Sequence, residues 1–255
     1  VGHSQIDRIP WNTEWRTVVA LLRDHADAAA VARAVVDAAR TVVLPLAKDR
    51  GVVEAVWHLL RLPRAAADAD YPGGLRRAGL DVGGPPGLMD LLAALSDALD
   101  RAVPVGRRTD LGEMAHTALV ETLADHVGGA VTGLYGEDPG EVRAAVAATA
   151  TVARFGRLAV AYFARLVRKT LDFFLSRVLA DQTGAERRFR TLSDQAEFAD
   201  ALRDYATQVA AGLDEYAGEW LRKAERDTGG TISRAKAGAF LAHAADKLDW
   251  ALSKG

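Results

Sequence analysis

Apolar residues recur along most of this chain every three or four positions, the spacing that gathers side chains on one face of an α-helix. Trp15, Val18, Val19 and Leu22 form such a row over residues 12–24, with Asn12 or Thr13 as its cap. Val31, Val35, Ala38, Val42 and Leu46 form the next, from about Asp27 until Pro45 ends or kinks it. A short apolar helix is predicted from Val52 to Leu62, stopped by Pro63, and another over Leu88–Ala102, closed by Pro104. Asp110-Leu-Gly-Glu113 reads as a capping box, opening a helix that Gly128-Gly129 stops.

The later helices look longer. Asp138-Pro139-Gly140-Glu141 is a strong start, because Pro at the first helical position lacks an N–H that would go unused there. No strong breaker follows until Gly184, so a continuous helix would run about 45 residues, or roughly 65–70 Å, with Gly156 as its one bend. Ser193 starts a second long helix that reaches Gly229-Gly230, with Phe198, Leu202, Tyr205, Val209, Leu213, Tyr216 and Trp220 on its apolar face. Ser233 caps a last one carrying Phe240, Leu241, Ala244, Leu248 and Leu252.

No segment alternates apolar and polar residues, so no sheet is predicted. The expected fold is all-α: a multi-helix bundle with a long C-terminal antiparallel helical hairpin, its arms joined over 183–192, plus a final capped helix. Residues 1–135 would form the bundle of shorter helices, with a Gly/Pro-rich loop at 63–87. Residues 136–255 would form the hairpin and last helix, and one core could serve both parts.

Composition sharpens this picture by exclusion. Hydrophobic residues at 49% and charged residues at 26% are ordinary globular values, which argue against wholesale disorder. With no cysteine, disulfides, thiolate metal ligands and cysteine nucleophiles are all ruled out. A net charge of −2 exerts no whole-molecule pull on nucleic acid or anionic lipid, so any such attraction must be local. Residues 1–15 lack a basic stretch leading into an apolar run, which makes a cytoplasmic location the expectation. Residues 144–164 are apolar apart from Arg154 and Arg157, but two central arginines in an Ala-rich stretch oppose membrane insertion.

Charge is segregated in the C-terminal half. Residues 151–190 carry net +6, from Arg154, Arg157, Arg165, Arg168, Lys169, Arg177, Arg187, Arg188 and Arg190 against three acidic residues, whereas 191–227 carry −5. Either the two arms neutralise each other across their interface, or the basic residues form a face for phosphates or an acidic partner. Among the tryptophans, Trp11 and Trp15 lie where a partner could cover them, and Trp250 falls off the apolar row of the last helix. These three are the interface candidates.

Site chemistry is sparse. The glycines of 71–89 follow no strand and end in no Gly-Lys-Ser/Thr, so both nucleotide fingerprints fail. Asp68, Asp70 and Tyr71 could still contact a small molecule there. Glu113-Met-Ala-His116 matches the Glu-x-x-His element of carboxylate-bridged metal bundles, but no second copy exists and Glu54–His58 has the wrong spacing. No metal, cofactor or catalytic residue is assigned. The expected function is a non-enzymatic helical scaffold or adaptor, acting through protein–protein contacts in a larger assembly or homo-oligomer. The alternatives are a nucleic-acid-binding subunit using the Arg-rich face of 154–190, and a small-molecule binder or enzyme using the 63–87 loop.

Overall fold

The helical spacing of apolar residues is realised throughout a computed structural model that describes residues 13–131, 138–179, 182, 184 and 187–254, without side-chain detail at 13, 39–45, 177–178 and 252–254. Eleven α-helices lie among the described residues: α1 Thr13–Arg23, α2 Ala28–Val43, α3 Arg50–Ala67, α4 Tyr71–Arg77, α5 Leu88–Ala102, α6 Asp110–Gly128, α7 Pro139–Ala148, α8 Val152–Leu179, α9 Leu192–Ala211, α10 Asp214–Thr228 and α11 Arg234–Lys254. Short 3₁₀ turns at Leu44–Lys48 and Val105–Arg107 join two of the connections. The all-α expectation holds. Apolar residues from Trp15 to Leu248 form one buried cluster, so the early and late helices share a core.

Start signals act largely as the sequence implies. Asp138 accepts from the Gly140 N–H at 2.7 Å, with Pro139 in the first turn of α7, and Ser233 accepts from Lys236 N at 3.3 Å. Two starts lie slightly earlier than read. The N-cap of α6 is Thr109, whose hydroxyl oxygen accepts from Gly112 N at 2.9 Å, so Asp110 sits inside the helix. The capping box of α9 is formed by Thr191 and Asp194, two residues before Ser193.

Both long helices are broken. Between α7 and α8, residues 149–151 turn the chain by 95°. The Thr149 hydroxyl donates to Val146 O at 2.6 Å while Thr149 N and Ala150 N make tight three-residue bonds. Threonine hydroxyls thus take carbonyls that a continuing helix would have used. Gly156, the anticipated bend, instead lies within α8 and lets α10 approach. At Gly212 the second long helix also stops, with Leu213 N bonding Ala210 O before α10 begins. Pro63, expected to end α3, is carried inside it, because Leu62, Ala65 and Ala66 remain buried on the same face.

α8 is the centre of the later half and packs against α6, α9 and α10. Tyr162 and Phe163 of α8 meet edge-on at 5.0 Å, and Phe163, Trp220 and Tyr216 surround Phe240 of α11. α10 is pressed onto α8 at two glycines: Gly156 faces Asp214, and Gly218 faces Val152.

α11 is latched to α3 by residues 175–180 positions apart in the chain. Trp57 Nε1 donates to Ile232 O at 2.8 Å, and the Arg234 guanidinium lies 4.0 Å above the Trp57 ring. Arg234 Nε also donates to Glu54 Oε1 at 2.5 Å. Glu54 is only 3% exposed, so removing Arg234 would leave a buried carboxyl without its hydrogen-bond partner. Arg234→Ala is expected to cost about 2–3 kcal/mol in chemical denaturation. That is less than breaking a fully buried pair, because the Arg234 side chain is itself 53% exposed. Arg234→Lys, which keeps the charge but loses the flat stack, should recover only part of the loss.

Candidate functional site

The nine basic residues of 154–190 do not act as one face. Arg154 is exposed on α8, Arg187 and Arg190 are exposed after it, and the Arg177 side chain lies outside the described residues. Arg188 is structural. Its guanidinium donates to Leu21 O, Leu22 O and Ala26 O at 3.4, 3.3 and 2.5 Å, closing the C-terminal end of α1, and covers the Phe198 ring at 4.4 Å.

Along α8, two basic residues are answered by α6 rather than by the acidic arm that follows. Arg165 pairs with Asp125, approaches Glu121 at 3.5 Å, and donates to the Thr122 hydroxyl at 3.0 Å. Lys169 donates to Glu121 at 2.9 Å. Arg168 pairs within its own helix, 3.4 Å from Asp172. On the other side, Arg203 pairs with Asp200 and Arg222 with Glu219, each inside one helix. In place of a neutralisation of arm by arm, Arg165 and Lys169 of α8 pair with α6, while Arg168, Arg203 and Arg222 pair within their own helices. Sequence distance hid this, since Glu121 and Asp125 lie outside both charged segments.

What remains open is a concavity of about 410 Å³ between α8 and the α9–α10 elbow. Arg157, Ala161, Ala164 and Arg168 follow one another at helical spacing along its α8 wall. Arg203, Thr207 and Ala211 do the same on α9, and Asp214 closes one end. The half-buried Ala161 and Ala164 thus form a floor between guanidiniums. Arg203, Thr207 and Ala211 were not singled out from the sequence, although their spacing of four marks a common face.

A second concavity, of about 500 Å³, lies on the other side of the same elbow. Gln208, Val209, Gly212 and Leu213 line it from the elbow, and Lys247, Trp250 and Ala251 from α11. Trp250 is 62% exposed at its edge. Of the other interface candidates, Trp15 is corrected: it is 1% exposed and packs on Phe174 in the core. Trp11 lies outside the described residues.

The Glu113–His116 element belongs to a buried arginine, not to a metal. Arg108 donates to Glu113 at 2.6 Å, to His116 Nδ1 at 2.8 Å and to Val103 O at 3.0 Å, and it also pairs with Asp100. With Nδ1 accepting, the ring proton sits on Nε2 and points to Ser96 Oγ at 3.1 Å. That tautomer cannot take a proton from the Ser96 hydroxyl, so this Ser, His and Asp are organised around Arg108 rather than as a nucleophile and its base. Burial, then the Arg108 charge, lowers the His116 pKa. Among the described residues no cluster of three His, Asp or Glu is placed to hold a metal ion.

About half of the 63–87 segment is helical, in the end of α3 and in α4. Asp68 and Asp70 face Arg77, at 2.6 and 3.5 Å, and Asp70 caps α4 through Gly73 N at 3.0 Å. Tyr71 is buried beneath Arg143, whose guanidinium lies 5.5 Å from the ring centre. A Cβ at Gly74 would lie 2.5 Å from Ala65 O, so that glycine serves the contact of α4 with α3.

No single helix among the described residues is long and apolar enough to cross a membrane. Pro139–Ala148 and Val152–Ser176 reach that length and apolarity only together, across their 95° bend. Compared with protein-family models, curated proteins and solved structures, the chain matches none.

Proposed function

We propose that this protein is a non-enzymatic helical scaffold or adaptor subunit that works by protein–protein contact at the α9–α10 elbow. The observation that carries the reading is the pair of open concavities set back to back on that elbow, one of them edged by the most exposed tryptophan among the described residues. Large aromatics at the rim of a concave apolar surface are typical anchors of protein interfaces. The pairing of Arg165 and Lys169 with α6 favours this reading over a nucleic-acid face, because it removes charges that a phosphate backbone would need.

Trp250→Ala tests it. As an exposed position the substitution should change folding stability by less than about 0.5 kcal/mol. Truncating an anchor should weaken association ten-fold or more. Light scattering on the purified chain would detect self-association, and affinity capture from the native host followed by titration of the identified partner would detect a second protein. A partnerless monomer in both measurements, or a partner bound equally by Trp250→Ala, overturns the proposal.

A further inference from the structure

We infer that the α8/α9 groove receives an amphipathic helix of a partner protein, with small apolar residues on the face it presents and carboxylates clustered toward one end. This rests on the adaptor reading and names the chemistry of one of its two surfaces.

The groove's length, floor and charge each constrain the occupant. Arg157 and Arg168 are eleven residues apart on one helix, about 16 Å, or three turns. Ala161 and Ala164 between them, with Ala211 opposite, give the groove a small-residue floor, edged by Val160 and Arg165. Helices pack about 8–10 Å apart, and the lower value needs small residues at the crossing. A three-turn helix with a small-residue face fits those walls.

Charge orients it. At one end Asp214 carries a negative charge beside Gly156. Toward the other end Arg168 and Arg203 converge, both close enough to lower the pKa of Asp172, although burial more than offsets them. Arg168 engages its carboxylate through Nε and Arg203 through Nη1, which leaves further N–H donors on each guanidinium. Carboxylates of the incoming helix therefore belong at the Arg168–Arg203 end.

α8 already binds an acidic helix in this manner on its other side. Glu121 and Asp125, one turn apart on α6, are held by Arg165 and Lys169. Arg165 lies between the two surfaces, in the wall of the groove while paired to α6. A polyphosphate chain fits less well, since it gains nothing from the alanine floor and is repelled by Asp214.

The test uses the full chain and a fluorescein-labelled, 18-residue helical peptide with alanine and leucine on one face and three glutamates in its first two turns. Anisotropy should show binding at 50 mM salt that weakens clearly at 300 mM. Replacing the glutamates by lysine should abolish it. The protein variant Arg168→Glu/Arg203→Glu, checked for unchanged helicity and melting temperature, should weaken it at least ten-fold. Ala164→Trp, which fills the floor without altering charge, should do the same and guards against misfolding of the double variant.

No binding at 50 mM salt, equal binding by the lysine peptide, or equal binding by both variants would overturn the inference. So would tighter binding of a single-stranded oligonucleotide than of the acidic peptide, which would assign the guanidiniums to phosphates. If these results fail while Trp250-dependent association persists, the groove assignment falls and the adaptor reading stands. Loss of both removes both.

Discussion

Between pH 6.5 and pH 5 this protein should lose stability steeply, and His58 should account for a definable part of the slope. His58 sits on α3 with 1% exposure, its ring edge-on to Trp57 at 4.7 Å. Burial first, then the charges of Arg234, Arg61 and Arg101, lowers its pKa from 6.5 to about 3. The neutral imidazole is therefore retained in the folded state while the unfolded chain takes up a proton near pH 6.5. Folding stability is fully present above that value and is lost as pH falls toward 3, at up to about 1.4 kcal/mol per pH unit for one proton. By pH 5.5 the loss from this residue reaches about 1 kcal/mol. His116 and His126 are also lowered by burial and a nearby arginine, and add slope of the same sign. His58→Asn should be less stable at pH 7 yet show a shallower decline from pH 6.5 to 5, before most carboxylates titrate. Urea midpoints at half-unit intervals would measure this, and parallel slopes for the two proteins would refute it.

The α8–α10 crossing should be equally intolerant of added volume. A Cβ on Gly218 would overlap the Val152 carbonyl oxygen and lie 2.8 Å from its side chain, and one on Gly156 would overlap Asp214. The obstacle at Gly218 is main chain near the start of α8, which cannot swing aside as a flexible side-chain tip does. Gly218→Val is expected to destabilise by about 3 kcal/mol, at the upper end of overpacking effects, and to separate the two helices. Gly156→Val should be similarly costly, because the Asp214 carbonyl oxygen would overlap the added Cβ even if the side chain rotates away. Gly212→Ala is the control, because nothing lies within 4 Å of the corresponding Cβ. A melting temperature for Gly218→Val within a degree of the parent would show that the helices do not meet there.

Helix identity was legible in the sequence because apolar spacing and caps are local. Asp138-Pro139 and Ser233 could be read without knowing what they pack against. The two helix breaks were less legible for a physical reason: Thr149 and Gly212 are tolerated inside many helices, and only their packing decides whether the chain turns. Gly156 shows the converse, a residue read as a bend that is an allowance for a neighbour. The charged residues were visible but not their partners. Arg165 and Lys169 find Glu121 and Asp125 some 40–48 residues away, and Arg188 uses main-chain oxygens that no charge pattern reveals. The exposure of Trp250 follows from its departure from an apolar row, whereas Arg203 lies in a segment dominated by acidic residues that gives no sign of its place in the groove.

The latch between Trp57 and Ile232 also bears on how the molecule is made. The helix that covers the α3 tryptophan and supplies the counter-ion of Glu54 leaves the ribosome long after α3 itself. At about 5–20 residues per second, the chain between α3 and α11 takes roughly 10–30 s to synthesise. For that interval the Trp57 edge and the Glu54 carboxylate lack the cover that α11 supplies, while α6 and α7 pack on the rest of α3. Burial of the Trp57 edge and pairing of Glu54 therefore wait for α11, however early the rest of α3 is packed.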